Sequence, residues 1–509
     1  MKNLCKSAWG HAFVVIAGLL FTAAFAPFDF SAFILFALVT LRLLLIGLDG
    51  KLALLRGFLF GLGLFGLGVS WVFVSMVVNV QESFMLPAFM TLLYCSLWAA
   101  FPAMVAYLFV KIIALKQTKQ SPVLLFASLW ILIEYIRGEW FLNGFPWLQV
   151  AYSQLDSPLS GYIPVLGSYG TGFIVLVMAA LWAEAIIDKA KIGMALVIFV
   201  GLLLGGQILR QINWTDVQED LIKVSLIQGN IAQKDKWVLA NRNVTLKQYY
   251  DDSAKHWDSD VIIWPETAIP AYYAEVKEGY LKPLEQEAVR THTDIITSLP
   301  YKDDAGKLYN SVLVLGKTPG WYKKIHLLPF GEYLPWQPLS AYILGLMDIR
   351  LGKFSAGNAE QPLLQVAGHH FVTSICYEDA FGAQSIRQIE AARFLVNVTN
   401  DGWFDGSIEP YQHMQIARMR ALESGRYLLR VTNTGVTAIV SAKGDIIQQA
   451  PMRERASITA DIPPMSGLTP YARMGDKPIM ILVLLAFLWG SGAVLCLKPL
   501  KSIAPRSYF

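Results

Sequence analysis

Residues 370–379, HFVTSICYED, indicate the fold of the polar part of this chain. Residues 370–376 are rich in aromatic and β-branched side chains and predict a strand that ends in a thiol followed by two carboxylates. Seven other short apolar runs also predict strands: 222–231, 260–264, 294–299, 311–315, 393–398, 435–440 and 445–447. Helical patterns lie between some of them, at 236–256, 280–291 and 410–430. This alternation predicts a layered α/β domain, with a mixed sheet because some connections look like hairpins.

Two more segments of this domain break the apolar pattern next to predicted strands. In WPET, Pro265 cannot donate a ladder hydrogen bond, so it ends a strand and presents Glu266 at the strand's carboxyl end. In YKKIH, Lys323 and Lys324 precede the run LLPFGE. Ligands of α/β sheets bind at the carboxyl ends of strands, so we expect a carboxylate, a lysine and the thiol of Cys376 to meet there.

These three groups are sufficient for chemistry through a thioester. A thiol attacks as its thiolate, and a free cysteine has a pKa of about 8.5. A carboxylate can accept the thiol proton, while an ammonium lowers the thiol pKa and later stabilises a tetrahedral oxyanion. An amine attacks a thioester more readily than an ester or an amide, so the set suits acyl transfer to nitrogen.

The cysteines and histidines offer competing interpretations. Cys376 is the only cysteine within residues 213–477, so a disulfide inside that stretch is impossible, and a small buried thiol without chemistry stays open on cysteine count alone. His326, His369, His370 and His413 raise the alternative of a metal site or a Cys–His pair. Adjacent strand residues point to opposite faces, which argues against chelation by the His369–His370 pair. We predict no metal and, since GxGxxG and P-loop patterns are absent from residues 213–477, no nucleotide or other cofactor.

Outside residues 213–477 the composition is that of a membrane protein. Only 20 of the first 212 residues and three of the last 32 are charged, against 57 of the 265 between them. A bilayer core about 30 Å thick requires roughly 20 apolar residues in a helix. Eight stretches qualify: 9–27, 31–48, 53–75, 85–110, 122–139, 163–187, 192–210 and 478–497. We predict a transmembrane domain at 1–212, a catalytic domain at 213–477 and a last span with its tail at 478–509.

The charges of the short loops predict the orientation in the membrane. With eight spans, one side collects the basic residues Lys2, Lys6, Lys51, Arg56, Lys111, Lys116, Lys119, Lys189, Lys191, Lys498, Lys501 and Arg506. The opposite loops near Asp29 and Glu82 are acidic or neutral. The excess of lysine and arginine marks the cytoplasmic side, so both termini are predicted there and residues 213–477 outside. The first span reads as an uncleaved anchor rather than a signal peptide. A net charge of +4 without a basic stripe gives no argument for nucleic-acid binding.

Glu134 and Arg137 lie three residues apart within the fifth predicted span and can pair on one helix face. Ionisable residues at membrane depth are candidates for function. A structural pair near the outer interface is the favoured interpretation, because the polar turn NGFPW at 143–147 follows directly. Direct contact with substrate stays open.

The ordered segments WPET, KKIHLLPFGEYLP, SICYED and NDGWF resemble the nitrilase, or carbon–nitrogen hydrolase, superfamily. Other stretches resemble the apolipoprotein N-acyltransferase family of bacterial inner membranes: GFPWLQ and YSQ at 144–154, IQGNIAQ at 227–233, QHMQIARMRALESGR at 412–426 and GLTPYAR at 467–473. The resemblance implies an α-β-β-α sandwich in the periplasm beside about eight spans. It extends over nearly the whole chain.

The resemblance also implies roles for individual residues. Glu266 would be the general base, Lys324 the oxyanion stabiliser and Cys376 the nucleophile. Lys324 is preferred to Lys323 because it stands eight residues before Glu332, as the family's pattern requires. Four residues match further positions on which the family depends: Trp237, Glu332, Tyr377 and Glu378.

The reaction implied by the resemblance is a ping-pong acyl transfer. Cys376 would take the sn-1 acyl chain of a phospholipid, typically phosphatidylethanolamine, and pass it to the α-amine of the N-terminal diacylglyceryl-cysteine of an apolipoprotein. A membrane-tethered amidase that uses the same three residues is one alternative. A non-enzymatic transporter or scaffold, suggested by the glycine-rich third span and Glu134, is the other.

Overall fold

The structure, a computed structural model, describes residues 7–79, 84–115, 120–335 and 354–493. Within the described part of the first 212 residues, the α-helices are α1 (Ala8–Thr22), α2 (Ala32–Leu44), α3 (Gly50–Gly68), α4 (Val72–Asn79), α5 (Met85–Ile113), α6 (Pro122–Tyr135), α7 (Ile163–Ile187) and α8 (Ile192–Gln211). Several loop residues used in the orientation argument, and two cysteines, lie outside the described residues: Lys2, Cys5, Lys6, Glu82, Lys116, Lys119, Cys496, Lys498, Lys501 and Arg506.

Each predicted span overlaps a helix, and four helical segments of the described chain have both the length and the composition to cross a membrane. They are Gly50–Gly68, Met85–Ile113, Pro158–Ile187 and Lys189–Gln211. The helices Ala8–Thr22, Ala32–Leu44 and Lys477–Ser491 are apolar but shorter. The number of eight spans and the orientation therefore stay predictions.

Glycines let the helices of this part approach closely. A Cβ on Gly18 of α1 would overlap with the carbonyl oxygen of Phe60 in α3, and one on Gly57 of α3 with that of Pro102 in α5. Backbones at this separation exclude any side chain between them, as is common where helices pack in membranes. Helix α3 is consequently packed closely between α1 and α5.

Residues 213–477 form two stacked sheets with helices on their outer faces. The strands are β1 (Asp216–Val217), β2 (Ile222–Gln228), β3 (Val261–Ile263), β4 (Asp294–Lys302), β5 (Leu308–Leu315), β6 (Gly320–Lys323), β7 (Leu364–Val366), β8 (His369–Ile375), β9 (Phe394–Thr399), β10 (Leu428–Thr432), β11 (Ala438–Val440), β12 (Ile446–Gln449), β13 (Ala456–Ile462) and β14 (Met465–Ser466). The α-helices of this domain are α9 (Gln233–Lys236), α10 (Arg242–Ser253), α11 (Tyr273–Val276), α12 (Lys282–Thr291), α13 (Gly382–Ser385), α14 (Glu409–Ser424) and α15 (Pro470–Met474). The apolar helix α16 (Lys477–Ser491) follows it.

The two large sheets have matching designs. One runs β13-β2-β3-β4-β5-β6 and the other β12-β11-β10-β9-β8-β7. In each, three central strands are parallel and the flanking strands antiparallel, so the predicted mixed sheet is confirmed. Apolar side chains from both sheets meet in one core between them. Two further cores lie on the outer faces, one beneath α10 and α12 and the other beneath α14, so the layers are α-β-β-α as expected.

All eight strands predicted from the sequence are present, but two predicted helices were too long. Within 236–256 the α-helix α10 spans only Arg242–Ser253, and Lys236 ends the separate helix α9. The 410–430 pattern breaks at Ser424, because Gly425 adopts a left-handed conformation with φ of 64° and ends α14. Strand β10 begins three residues later, at Leu428. The sequence pattern missed this strand because only Gly425, Arg426 and Tyr427 separate it from the helix.

Candidate active site

The three residues singled out for chemistry all follow strands at their carboxyl ends, although β6, the strand before Lys324, was not among the predicted strands. Lys324 comes directly after β6 and Cys376 directly after β8, while Glu266 follows β3 by three residues. Glu266 and Lys324 are buried, at 8% and 2% exposed, and Cys376 is partly exposed. A partly exposed thiol therefore interacts electrostatically with two ionisable groups that water hardly reaches.

Asn310 links the carboxylate and lysine parts of this site. Its Nδ2 donates to Oε1 of Glu266 at 2.7 Å and to Oε1 of Glu332 at 3.0 Å. The other oxygen of Glu332 lies 2.8 Å from Nζ of Lys324, and the backbone N–H of Lys324 donates to the Asn310 carbonyl at 2.8 Å. Glu266, Asn310, Glu332 and Lys324 thus form one continuous buried chain of hydrogen bonds.

The structure also separates the two adjacent lysines. Nζ of Lys323 lies over the rings of Tyr309 and Tyr301, at 4.4 and 4.9 Å from their centroids. Successive residues along an extended chain point to opposite sides. Lys324 rather than Lys323 consequently faces the carboxylates.

Charges in the site oppose one another. Burial would lower the pKa of Lys324, but Glu332 and Glu266 outweigh it and raise that pKa. Burial raises the pKa of Glu266, and Lys324 opposes this increase. The lysine therefore stays an ammonium, and it favours the ionised form of the carboxyl.

The thiol differs from the expectation that a nearby lysine would lower its pKa. Burial raises the pKa of Cys376 to about 12, and Glu266 adds to the increase, while Lys324 acts in the expected direction but is outweighed. The thiol is therefore neutral at rest, and a nucleophilic role would require a base to accept its proton. The residue also has a φ of 52°, a left-handed conformation that a side chain rarely adopts, where the chain turns from β8 into the 3-10 turn Cys376–Ala380.

Glu378 is a structural anchor in this arrangement. Its carboxylate accepts hydrogen bonds from the backbone N–H groups of Ile325 at 2.7 Å, His326 at 3.0 Å and Ile375 at 2.8 Å. The hydroxyl of Tyr322 and the amide of Gln384 donate to it as well. These donors tie the segment after Lys324 to the strand end before Cys376, and they occupy the lone pairs that a base would need.

Tyr377 and Trp237 occupy different surroundings. Tyr377 is buried and donates to the carbonyl of Gly144 at 2.8 Å, and its ring stacks on Trp147 with centroids 6.5 Å apart. It therefore connects the turn Cys376–Ala380 to the NGFPW loop of the helical part. Trp237 is 54% exposed, directly after α9.

Glu134 and Arg137 form hydrogen bonds with the backbone of the NGFPW loop and of Val150 just after it. The guanidinium of Arg137 donates to the carbonyls of Phe145 and Trp147, both at 2.7 Å. Glu134 accepts from the backbone N–H of Val150 at 3.4 Å and lies 4.0 Å from Arg137. The contacts fit the structural interpretation made from the sequence.

His413 belongs to a buried ionic network that includes Asp379 of the turn Cys376–Ala380. Its two ring nitrogens lie 3.0 Å from Asp379 and 3.0 Å from Asp401, and Arg430 contacts the same two aspartates at 2.9 and 3.3 Å. Burial lowers the pKa of His413, but the aspartates outweigh it and hold that pKa well above its ordinary value. Asp401, Glu409 and His413 stand close enough to ligate a cation. The guanidinium of Arg430 and the protonated His413 together neutralise the two aspartates, so the donor set fits an internal salt network better than a metal.

Two residues of the site were missed from the sequence, Asn310 and Lys236. Asn310 lies within the strand β5. In the sequence it only interrupts an apolar run, and such an interruption does not indicate a functional residue. Lys236 is 3% exposed, and its Nζ donates to the backbone carbonyl of Glu266 at 3.0 Å. A buried lysine beside an exposed tryptophan cannot be distinguished from a surface lysine by pattern alone.

Family models match two consecutive parts of the chain. Residues 17–181 match the apolipoprotein N-acyltransferase N-terminal domain, and residues 223–471 match carbon-nitrogen hydrolase. The apolipoprotein N-acyltransferase of Methylococcus capsulatus is 43% identical over 463 residues, which cover 91% of this chain and 92% of the relative. That of Pseudomonas aeruginosa is 36% identical over 497 residues, covering 96% and 97%.

Among solved structures, the chain is similar to Nit3 of Saccharomyces cerevisiae, described as a member of branch 10 of the nitrilase superfamily. The sequences are 17% identical, and the TM-score is 0.38. The match covers 49% of this chain and 93% of that protein.

Proposed function

The chain belongs to the apolipoprotein N-acyltransferase family and N-acylates lipoproteins, and on this premise we propose that Glu266, Lys324 and Cys376 perform the transfer through a thioester. The donor in this proposal is a phospholipid, phosphatidylethanolamine by preference, which gives up its sn-1 acyl chain. The acceptor is the α-amine of an N-terminal diacylglyceryl-cysteine. No cofactor or metal is invoked.

The first half-reaction forms the thioester. The thiol of Cys376 gives its proton to the carboxylate of Glu266, and the thiolate attacks the sn-1 ester carbonyl. Lys324 stabilises the oxyanion of the tetrahedral intermediate, where a single well-placed donor is worth about 10²–10³ in rate. When the C–O bond breaks, Glu266 returns the proton to the glycerol oxygen, and lysophospholipid leaves.

The second half-reaction consumes the thioester. The neutral α-amine of the lipoprotein attacks the thioester carbonyl, and the same ammonium stabilises the second oxyanion. The C–S bond breaks, an amide forms, and the proton lost by the amine passes through Glu266 to the Cys376 thiolate. The free enzyme is regenerated without any oxidant or reductant.

The observation that supports this assignment best is the buried chain Glu266–Asn310–Glu332–Lys324. It holds a base and an ammonium at two fixed positions beside a thiol that is neutral at rest. Pre-organised charge of this kind is the usual source of rate acceleration in acyl transfer. Glu332 would keep Lys324 in place and Glu378 would anchor the turn before Cys376, so both are positioning residues in this proposal.

Tyr377 and Trp237 would serve the membrane substrates. Tyr377 contacts the loop of the helical part, so it would connect the nucleophile turn to the surface from which lipids enter. Trp237 is exposed beside Lys236 and would contact bound substrate. The chain is a membrane protein, and we place it in a bacterial inner membrane with eight spans, cytoplasmic termini and residues 213–477 in the periplasm.

The alternative of a membrane-tethered amidase fits the sandwich fold but not the function of the family. Transfer and hydrolysis are separated by the fate of a radiolabelled acyl chain. Purified protein in detergent is incubated with sn-1-labelled phosphatidylethanolamine and a diacylglyceryl-peptide. We expect the label in the peptide as an amide that resists hydroxylamine. Recovery of the label only as free fatty acid would establish hydrolysis instead and refute the transferase proposal.

A further inference from the structure

The proposed catalytic set leaves one negative charge without a counter-ion. Lys324 is paired with Glu332 at 2.8 Å, whereas the Glu266 carboxylate is hydrogen-bonded by the neutral amide of Asn310 at 2.7 Å and interacts with the charge of Lys324 without an ion-pair contact. Glu332 and Glu266 together carry two negative charges against the single charge of Lys324. A buried carboxylate is costly to ionise unless a positive charge lies near it.

Lys236 supplies a second positive charge at this position. It is 3% exposed, and its only described hydrogen-bond acceptor is the carbonyl oxygen of Glu266 itself, at 3.0 Å. Its charge acts on both the Glu266 carboxyl and the Cys376 thiol. With Lys236 included, two ammonium groups stand against the carboxylates of Glu266 and Glu332 while the thiol is neutral. Glu378, the third carboxylate that interacts with Lys324, is held by its own backbone N–H donors.

We propose that Lys236 is the counter-ion of Glu266: its ammonium keeps the carboxylate ionised beside the neutral thiol and so sets the lower pH limit of thioester formation. The inference rests on the proposed role of Glu266 as the base. Lys236 is a positioning residue in this sense, because it acts through Glu266 and not on the acyl group. When the proton moves from sulfur to Glu266, the same ammonium faces the new thiolate, so the charge balance is kept.

The groups that face Glu266 give the expected direction. Burial raises the pKa of Glu266 and Glu332 adds to this, while Lys324, Asn310 and Lys236 lower it. Burial lowers the pKa of Lys236 itself to about 8, with Glu266 and Cys376 acting against the decrease. Lys236 is therefore charged below about pH 8 and neutral above it. Lys236 therefore lowers the pKa of Glu266 only at pH values below about 8, where it carries its charge.

The test measures the rate of Cys376 acylation by phosphatidylethanolamine in mixed micelles from pH 5 to 10, without acceptor. Three variants separate charge from hydrogen bonding: Lys236→Met loses both, Lys236→Gln keeps a donor for the Glu266 carbonyl, and Lys236→Arg keeps the charge. In the Met and Gln variants we expect the acylation rate to begin its fall at a higher pH than in the wild type. For each pH unit of this shift, the rate at a given acidic pH should be about tenfold lower. Above about pH 8 their rates should converge on the wild-type rate. The Arg variant should show the same decrease of acylation rate at acidic pH as the wild type.

Lys234→Met is the matched control, because Lys234 stands on the same short helix and is exposed. Equal profiles for Lys236→Gln and Lys234→Met would overturn the proposal. A loss in the Met variant that is the same at every pH, with Gln unaffected, would also overturn it and assign Lys236 a structural hydrogen bond. If Lys236→Met does not fold, the Gln variant decides. Failure of the underlying mechanism is seen separately, as wild-type acylation by Glu266→Gln.

Discussion

Nζ of Lys324 lies 2.8 Å from Oε2 of Glu332, and both residues are buried at the strand ends that carry the proposed catalytic set. The contact fixes the direction of a long, flexible side chain. It also explains why the ammonium survives burial, since Glu332 outweighs the desolvation that would otherwise lower the lysine pKa.

Glu332→Gln should therefore damage the site without touching the thiol. Removing one partner of a buried ion pair costs about 3–5 kcal/mol, because the other charge is left uncompensated. We expect thioester formation to fall by about 10²–10³, the value of one oxyanion donor, since Lys324 is no longer held in place. The measurement is the single-turnover rate of Cys376 acylation, with the exposed Glu360→Gln as a control. A rate within twofold of wild type would show that Glu332 does not position Lys324.

Cys376 should carry the acyl group. Incubation with phospholipid alone should leave a hydroxylamine-sensitive acyl label, and Cys376→Ala should abolish it. Substitution of Cys5, Cys95 or Cys496 should leave the label intact, because these cysteines lie outside the 213–477 domain. Mass spectrometry of the labelled peptide is the readout. Label that survives in Cys376→Ala would mean that another residue is acylated.

Glu266 and Lys324 should both be required for thioester formation, but with different dependence on pH. Glu266→Gln cannot accept a proton, so its acylation rate should recover partly as pH rises and the thiolate forms unaided. Lys324→Ala should recover less, because the oxyanion stays uncompensated, and Lys324→Arg should rescue little since its planar fork is wider. The check is the acylation rate of each variant across a pH series. Glu266→Gln at wild-type rate near neutral pH would show that Glu266 is not the base.

The proposed topology predicts the behaviour of fusion reporters. Alkaline phosphatase joined after Asp476 should be active, because residues 213–477 are expected in the periplasm. The same enzyme joined after Arg506 should be inactive, because the tail is expected in the cytoplasm and disulfides do not form there. The opposite pattern would defeat the eight-span arrangement and with it the proposed encounter with periplasmic lipoproteins.

Glu409 should make stability depend on pH. Burial and the charge of Asp401 raise its pKa from 4.5 to about 7, so the folded state binds this proton more tightly than the unfolded chain. Its contribution to stability is complete below pH 4.5 and is lost as pH rises through about 7. Glu409→Gln resembles the protonated form and should reduce the loss of melting temperature between pH 5 and 8. Thermal unfolding in detergent measures this, with the exposed Glu454→Gln as control. An unchanged pH dependence in Glu409→Gln would contradict the assignment.

Much of the local structure follows from the sequence, because strands and apolar helices are encoded by neighbouring residues. The β-branched runs predicted eight strands of the sandwich, and the low charge of the first 212 residues indicated the helical part. Proline after Trp264 and the thiol at the end of β8 also marked two of the three proposed catalytic positions. These signals are short-range, so they are visible without a fold.

The tertiary structure alone decided which polar groups meet. Asn310 joins Glu266 to Glu332, and Lys236 reaches the carbonyl of a residue 30 positions away. It also reversed the expected direction of the thiol pKa, because burial around Cys376 outweighs the charge of Lys324. Desolvation and Coulomb energies depend on distances through space between residues far apart along the chain. A sequence pattern carries the identity of such groups but not their separation, and the separation determines which of them are charged.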